Sequence, residues 1–145
     1  LPLIGGGETK FQPAFVGDVA EVIARAVDGE LEAGQTYELG GPEEKSFKEL
    51  LEIMLSETQR KRLLLPMPFG IAKALAWWTE MLPSPVLTCD QVTLLKTDNV
   101  VSDAAKSAGR TFEGLGIKAQ SVEAVVGSYL WSYRPAGQYE ANRAR

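Results

Sequence analysis

The sequence predicts an α/β fold in which two or three short strands are followed by a mostly helical cap. In the first half of the chain, short aromatic and β-branched segments alternate with segments whose apolar residues recur every three or four positions. In the second half, nearly every segment has the helical period. Alternating strands and helices are typical of the edge of an α/β sheet, and so few strands need further partners to be stable.

Composition indicates an ordinary folded protein and excludes several kinds of chemistry. The chain has 145 residues, of which 45% are hydrophobic and 23% charged. Its formal net charge of −4 offers no surface for neutralising phosphates, so no nucleic-acid partner is expected. Histidine is absent and Cys89 is the single cysteine, which excludes Ser-His-Asp or Cys-His catalysis and a Cys/His zinc site within these residues.

The first predicted strand runs from Phe11 to Val16 and leads into a helix. Asp18 is interpreted as the N-cap of that helix, and Glu21, three residues later, completes a capping box. Gly29 is expected to end this helix by adopting the left-handed backbone conformation. Because capping explains both carboxylates, Asp18 is not expected to be a catalytic acid.

Two further strands are predicted, at Thr36–Leu39 and at Arg62–Pro66. Between them, Ser46 and Glu49 form a second capping box at the start of a helix. Gly5-Gly6-Gly7 is interpreted as a turn before a strand, because no helix follows it.

From Phe69 onward the pattern predicts helices. The first of these spans Phe69–Leu82, with its apolar face packed in the core, and ends at Pro83. A capping box at Thr88 opens a helix to about Lys96, and Ser121 caps a last helix that continues to Pro135. Residues 98–118 are the least regular and are expected to hold one short helical turn. The chain is therefore divided into α/β units (1–68), a helical cap (69–135) and a flexible tail (136–145).

Several segments carry a resemblance to a known family. The VGDVA element at Val16–Ala20, the YELGGP element at Tyr37–Pro42 and the SFKEL element at Ser46–Leu50 resemble the C-terminal half of extended short-chain dehydrogenase/reductases, the relatives of NAD-dependent epimerases and dehydratases. Together with Leu65–Pro68 and Leu82–Thr88, they are similar to the nucleotide-binding accessory subunits of respiratory complex I. The resemblance implies the C-terminal part of a Rossmann-type fold.

The resemblance also implies that the chemistry of such proteins lies upstream of this chain. Gly5–Gly7 cannot be the dinucleotide fingerprint, because that motif needs a helix after the glycines. None of the four tyrosines has the lysine four residues later that reductases of this class use. The parent protein is therefore expected to bind NAD(P)H through a missing N-terminal Rossmann domain. This chain alone is expected to bind no cofactor and to hold no catalytic residue.

Lys10 and Gln12 are the candidates for a substrate cleft. In nucleotide-sugar members of the family, an arginine in the strand before the VGDVA element binds substrate phosphates. Here Phe11 stands at that position, with Lys10 and Gln12 beside it, which argues against a nucleotide-sugar substrate. The favoured role is structural or in assembly, with complex I subunits as partners. The alternatives are the substrate side of a true NAD(P)-dependent epimerase, dehydratase or reductase, whose pocket Lys10, Gln12 and Leu65–Phe69 would line, and a freestanding interaction module.

Three further features of the sequence each allow two interpretations. The basic turn Gln59–Arg62 is interpreted as a solvated turn, with contact to anionic lipid or an acidic partner as the alternative. Cys89 is expected to be a small core residue, with a thiol pKa lowered by a helix start as the alternative. Trp77 and Trp78 are expected in the core, with peripheral membrane contact as the alternative. The location is expected to be cytoplasmic or at the inner face of the cell membrane, and open strand edges predict self-association.

Overall fold

The computed structural model describes residues 1–135 and has a mixed α/β structure with short strands and several helices. The strands are Pro2–Ile4 (β1), Lys10–Phe11 (β2), Lys45–Ser46 (β3) and Leu65–Met67 (β4). The α-helices are Val16–Val27 (α1), Phe47–Glu57 (α2), Phe69–Thr79 (α3), Cys89–Leu94 (α4), Asp103–Ser107 (α5) and Val122–Leu130 (α6). Short 3₁₀ turns occupy Gly5–Gly7 and Trp131–Tyr133.

These elements form two compact units that interleave along the chain. The first unit consists of residues 1–11 and 45–99, and the second of residues 12–44 and 100–135. The division of the sequence at residue 68 stays a prediction, and the tail predicted at 136–145 lies outside the described residues.

In the first unit, β1 pairs in parallel with β4, and β2 pairs antiparallel with β3. The sequence did not predict β1, and the strand predicted at Arg62–Pro66 begins three residues too early and ends one residue too early. The reason is non-local, because register is set by β1: the Leu65 N–H donates to the carbonyl of Leu1 at 3.0 Å. The turn predicted at Gly5–Gly7 is confirmed.

The core of the first unit is built around small residues of α3. Ala72 and Ala76 are fully buried and cluster with Ile4 and Val92. The helix ends at Thr79, three residues earlier than predicted. The placement of Trp77 and Trp78 in the core is wrong, because α3 packs through its alanines and leaves both tryptophans exposed.

Three predicted helix caps, each with two partners that lie three residues apart, are confirmed. The capping boxes of Ser46 with Glu49 and of Thr88 with Gln91 are both present. Ser121 also accepts the expected hydrogen bond, from the N–H of Ala124.

In the second unit, two predicted strands are absent among the described residues. Beyond Phe11 the first predicted strand does not continue, and its Pro13 has no N–H to donate to a ladder. The segment Thr36–Leu39 is irregular, and the N–H of Glu38 donates instead to the carbonyl of Arg110 at 3.0 Å. The short helical turn expected within 98–118 is present as α5.

The capping box predicted for Asp18 and Glu21 is wrong. Helix α1 starts at Val16, two residues before Asp18, and its N-cap has no side-chain hydrogen bond. Asp18 is instead buried and accepts from the backbone N–H of Gln120 at 2.7 Å. Glu21 pairs with Arg25, one turn along the helix.

The core of the second unit consists of Val22, Phe112 and Ile117, with partly buried apolar side chains of α1 and of neighbouring loops around them. The last helix ends at Leu130 and is followed by the turn Trp131–Tyr133, so it is shorter than predicted. Within residues 1–135, no helix has both the length and the apolar character that crossing a bilayer requires.

Asp18→Ala tests whether the carboxylate holds the second unit together. Hydrogen bonds to charged groups contribute about 1.5–3 kcal/mol, and we expect the free energy of unfolding to fall by about that amount. Urea titration followed by circular dichroism measures it. The exposed Glu30→Ala variant is the control and should change stability by no more than about 0.5 kcal/mol. Equal losses in both variants would contradict the role of Asp18.

Candidate functional site

The second unit contains a cavity of about 350 Å³ beside Gln12, the predicted cleft residue of this unit. Three chain segments meet around it: the segment before α1, the glycine-rich turn near residue 41, and residues 101–119. The residues that line the cavity are Gln12, Gly40, Gly41, Pro42, Val101, Lys106, Thr111, Phe112, Glu113, Ile117, Lys118 and Ala119.

The side chain of Gln12 is held at both of its polar atoms. Its Nε2 donates to the carbonyl of Gly41 at 2.8 Å, and its Oε1 accepts from the N–H of Val101 at 2.9 Å. The amide therefore connects two loops of the second unit. A ligand that bound the Gln12 amide would have to compete with these two hydrogen bonds or use the remaining capacity of the amide.

Close backbone packing beside Gln12 requires glycine at positions 40 and 41. A Cβ on Gly40 would lie 2.6 Å from Cδ of Gln12, and a Cβ on Gly41 would lie 2.0 Å from the carbonyl oxygen of Pro13. Larger residues would therefore displace the loop. The glycine pair in the YELGGP element is explained by this packing.

A second side chain joins loops near the cavity. Glu38 accepts from the N–H of Ser102 at 2.8 Å and from its hydroxyl at 2.9 Å, just before α5. These two hydrogen bonds hold the pKa of Glu38 below its ordinary value, burial opposes them, and the charge of Arg110 lowers the pKa further. Glu38 thus acts as a fixed anion that secures the start of α5.

The charged side chains at the cavity are of both signs. Nζ of Lys106 lies 3.8 Å from Oε1 of Glu44 and 4.0 Å from Oδ1 of Asp103. Lys118 and Glu113 are exposed members of the lining. This set can contact a small polar ligand through charge and hydrogen bonds, but it places no nucleophile against a base.

Lys10 and Gln12 belong to different units. Lys10 is exposed in β2 of the first unit, where its backbone N–H donates to Oδ1 of Asp98 at 2.8 Å. The third component of the predicted pocket, Leu65–Phe69, also belongs to the first unit, as β4 and the start of α3. The role of Lys10 and Gln12 in a substrate cleft stays a prediction.

The alternative of an activated thiol at Cys89 is wrong. Burial raises the pKa of the Cys89 thiol, and the hydrogen bond and negative charge of Glu80 raise it further. The thiol is partly buried and packs against the core of the first unit, as its interpretation as a small core residue predicted. In the basic turn, Arg60, Lys61 and Arg62 are exposed.

Sequence reasoning missed two side chains that shape the second unit, Glu38 and Ser102. Glu38 was assigned to a strand, and its partner lies 64 positions away, so no local spacing signalled the contact. The Ser-Asp pair at 102 and 103 is a typical helix start and was the available signal for Ser102. Among the described residues, no group of acidic or cysteine side chains is arranged to hold a metal ion.

Replacing Glu38 by Gln should weaken the protein at neutral pH and have less effect in acid. Because the folded pKa of Glu38 is lowered, its contribution is complete above the ordinary glutamate pKa of about 4.3 and is lost as pH falls through the lower folded pKa. Urea midpoints of wild type and Glu38→Gln should therefore converge below about pH 4. Glu30→Gln is the control and should show no converging difference. A gap that persists unchanged at low pH would contradict the assignment.

Comparison with known proteins connects the chain to respiratory NADH dehydrogenase. No family model matches the sequence. A protein of Arabidopsis thaliana, NADH dehydrogenase [ubiquinone] 1 alpha subcomplex subunit 9, mitochondrial, is 40% identical over 147 residues, which cover 94% of this chain and 36% of that protein. The mitochondrial NADH-ubiquinone oxidoreductase 40 kDa subunit of Neurospora crassa is 28% identical over 142 residues, 93% of this chain and 35% of that protein.

The chain spans about one third of the length of these curated relatives. The similarity extends over almost the whole chain, including the VGDVA element at Val16–Ala20 and the YELGGP element at Tyr37–Pro42 that carry the resemblance. The resemblance is thereby confirmed. The relatives are complex I subunits of the extended short-chain dehydrogenase/reductase family, and the chain is similar to a C-terminal part of them.

Proposed function

We propose that this chain is the C-terminal region of a complex I accessory subunit, with a structural or assembly role and no chemistry of its own. The observation that carries the proposal is the 40% identity to a NADH dehydrogenase subunit over 94% of the chain. Its partners on this proposal are other subunits of the same enzyme. A freestanding interaction module is a weaker reading, because the relatives are larger subunits of an assembly.

The polar contacts of the second unit support a structural role. Gln12, Asp18 and Glu38 each accept a hydrogen bond from a backbone N–H of a distant loop. Side chains used in this way fix the chain rather than present free groups to a substrate.

We further propose that the parent protein binds NAD(P)H through an N-terminal Rossmann domain that packs on the first unit. The support is an apolar groove of about 450 Å³, whose lining includes Leu1, Pro2 and Phe11. Two pairs of very short strands are marginal without further partners, and the relatives are nearly three times as long as the matched region. Self-association of the isolated chain through its open strand edges stays a prediction.

The second candidate is the substrate side of an NAD(P)-dependent epimerase, dehydratase or reductase. The cavity of about 350 Å³ beside Gln12, with Lys106 and Lys118 in its lining, favours it. A parent protein that keeps a tyrosine with a lysine four residues later would support this enzyme, and a parent without that pair would support the structural role.

For location, we propose a site beside the membrane that carries NADH dehydrogenase. The names of both relatives describe mitochondrial proteins. The sequence alone favours the cytoplasm or the inner face of a cell membrane, whereas both relatives are mitochondrial and neither is a cytoplasmic or cell-membrane protein.

Association with NADH dehydrogenase is tested on the natural parent protein with an affinity tag at its C-terminus. Detergent-solubilised membranes are separated by native electrophoresis, and NADH oxidation is stained in the gel. We expect the tag to migrate with the NADH-oxidising band, and to be lost from it when the region of Leu1–Arg145 is deleted and the tag is kept. A tagged parent found only away from that band would contradict the proposal.

NADPH titration tests the proposal that the cofactor site of the parent protein lies outside this chain. The isolated chain has neither the glycine-rich strand-turn-helix that seats the pyrophosphate nor the residue that reads the ribose, so we expect at best millimolar affinity, worth about 4 kcal/mol. Backbone amide NMR shifts measure it. Saturable shifts at micromolar NADPH near Gly5–Lys10 or Leu65–Phe69 would show that the cofactor site is misplaced. Adenosine triphosphate serves as the control for non-specific anion binding.

A further inference from the structure

The cavity of about 350 Å³ beside Gln12 extends to the hydrophobic core of the second unit. Three of the side chains that line it are nearly inaccessible to water: Phe112 is 3% exposed, Ile117 7% and Val101 8%. Phe112 and Ile117 also belong to the core cluster of this unit. Space left open beside a core lowers stability, because the atoms around it lose packing contacts on one side. A molecule that filled the cavity would restore those contacts.

Hydrogen bonds hold the walls of this cavity in place. One wall consists of successive backbone turns: the N–H of Leu115 donates to the carbonyl of Thr111 at 3.0 Å, and the N–H of Ile117 to that of Phe112 at 2.9 Å. Another wall is fixed by the two hydrogen bonds of the Gln12 amide to its neighbouring loops. The cavity is therefore formed before a ligand binds, so binding requires little ordering of the protein.

The charged groups of the lining favour a ligand with a single negative charge. Two lysines and one glutamate, Lys106, Lys118 and Glu113, give the lining a net charge of +1. Lys118 is exposed and forms no ion pair with another residue of the described chain. The two ion pairs of Lys106 are long, at 3.8 and 4.0 Å, and exposed pairs of this kind contribute little. Both ammonium groups are thus available to an anion, whereas a second negative charge on the ligand would meet Glu113.

Two polar side chains of the lining have unused hydrogen-bond donors. Gln12 uses one of the two N–H groups of its amide on the carbonyl of Gly41, so the second is available. The hydroxyl of Thr111 accepts from the N–H of Gly114 at 3.2 Å and donates to no other residue in positions 1–135. Unused donors require a ligand that accepts hydrogen bonds, and a carboxylate accepts at both of its oxygens.

We propose that this cavity binds a small monocarboxylate with an apolar body. The carboxylate meets the ammonium groups of Lys106 and Lys118, and the body packs against Phe112 and Ile117. Ligand pockets in proteins measure about 300–1,000 Å³, so a cavity at the lower end suits a body of one ring or a short branched chain. The proposal goes beyond the proposed function, because it assigns a ligand to a unit to which that function gives only a structural role, and it requires no reaction.

The test uses the purified parent protein with excess NADPH, so that any dinucleotide site is filled. The probe is 4-fluorophenylacetate, whose fluorine NMR line broadens when it binds a large protein. We expect saturable broadening at millimolar probe and displacement by unlabelled phenylacetate. Acetate, which lacks the apolar body, and 2-phenylethanol, which lacks the charge, should not displace it at the same concentration. Absence of saturable broadening would overturn the proposal, and so would displacement by either analogue as strong as that by phenylacetate.

Variants of the parent protein, numbered as in this chain, locate the binding. Lys118→Gln removes one charge of the lining and should weaken binding about fivefold. The matched control is Lys61→Gln, which removes an exposed lysine of the first unit and should leave the affinity unchanged. Unchanged affinity in Lys118→Gln, or an equal loss in Lys61→Gln, would contradict the proposed site.

A third variant fills the cavity. Ala119→Trp places a large side chain in the lining and should weaken binding by about tenfold or more. Circular dichroism checks that this variant is folded, and Lys118→Gln decides the outcome if it is not. Full affinity in a folded Ala119→Trp protein would place the probe elsewhere and overturn the proposal. Failure of the parent to migrate with NADH dehydrogenase would leave probe binding unaffected, so the two proposals fail separately.

Discussion

Three backbone N–H groups of the second unit donate to side-chain oxygens of distant segments. Gln12 accepts from Val101, Asp18 from Gln120, and Glu38 from Ser102. Each contact joins segments more than sixty residues apart, and each satisfies a polar group that packing would otherwise leave unpaired. The loops of this unit, and the cavity beside Gln12, depend on these three acceptors because no strand of the described residues lies there.

The same contacts decide how the polar residues of the family motifs are interpreted. An aspartate in the VGDVA element and a glutamine in the preceding segment both suggest chemistry when they are seen as isolated motif residues. In the structure, Asp18 is buried and accepts a hydrogen bond from a backbone N–H, and both polar atoms of the Gln12 amide form hydrogen bonds. Both side chains therefore contribute hydrogen bonds that join distant segments of the second unit.

The sequence predictions are correct where the interacting residues are close together along the chain and wrong where they are far apart. The caps at Ser46, Thr88 and Ser121 are correct because each is completed within three residues, so spacing alone specifies them. The strand at Thr36–Leu39 is wrong because Glu38 finds its partners near residues 102 and 110, and no local pattern contains that information. The contact between Glu38 and Ser102 was missed for the same reason, because 64 positions separate the two residues.

Helix α3 shows where periodicity alone is insufficient. The pattern correctly groups Leu75 and Trp78 on one face, but it does not say whether that face or the alanine face turns inward. Hydrophobicity favours burying the larger side chains, while the close approach of Ile4 and Val92 favours the alanines, and packing selects the second solution. The packing of this small core, which the hydrophobic period does not describe, thus decides which face of α3 turns inward.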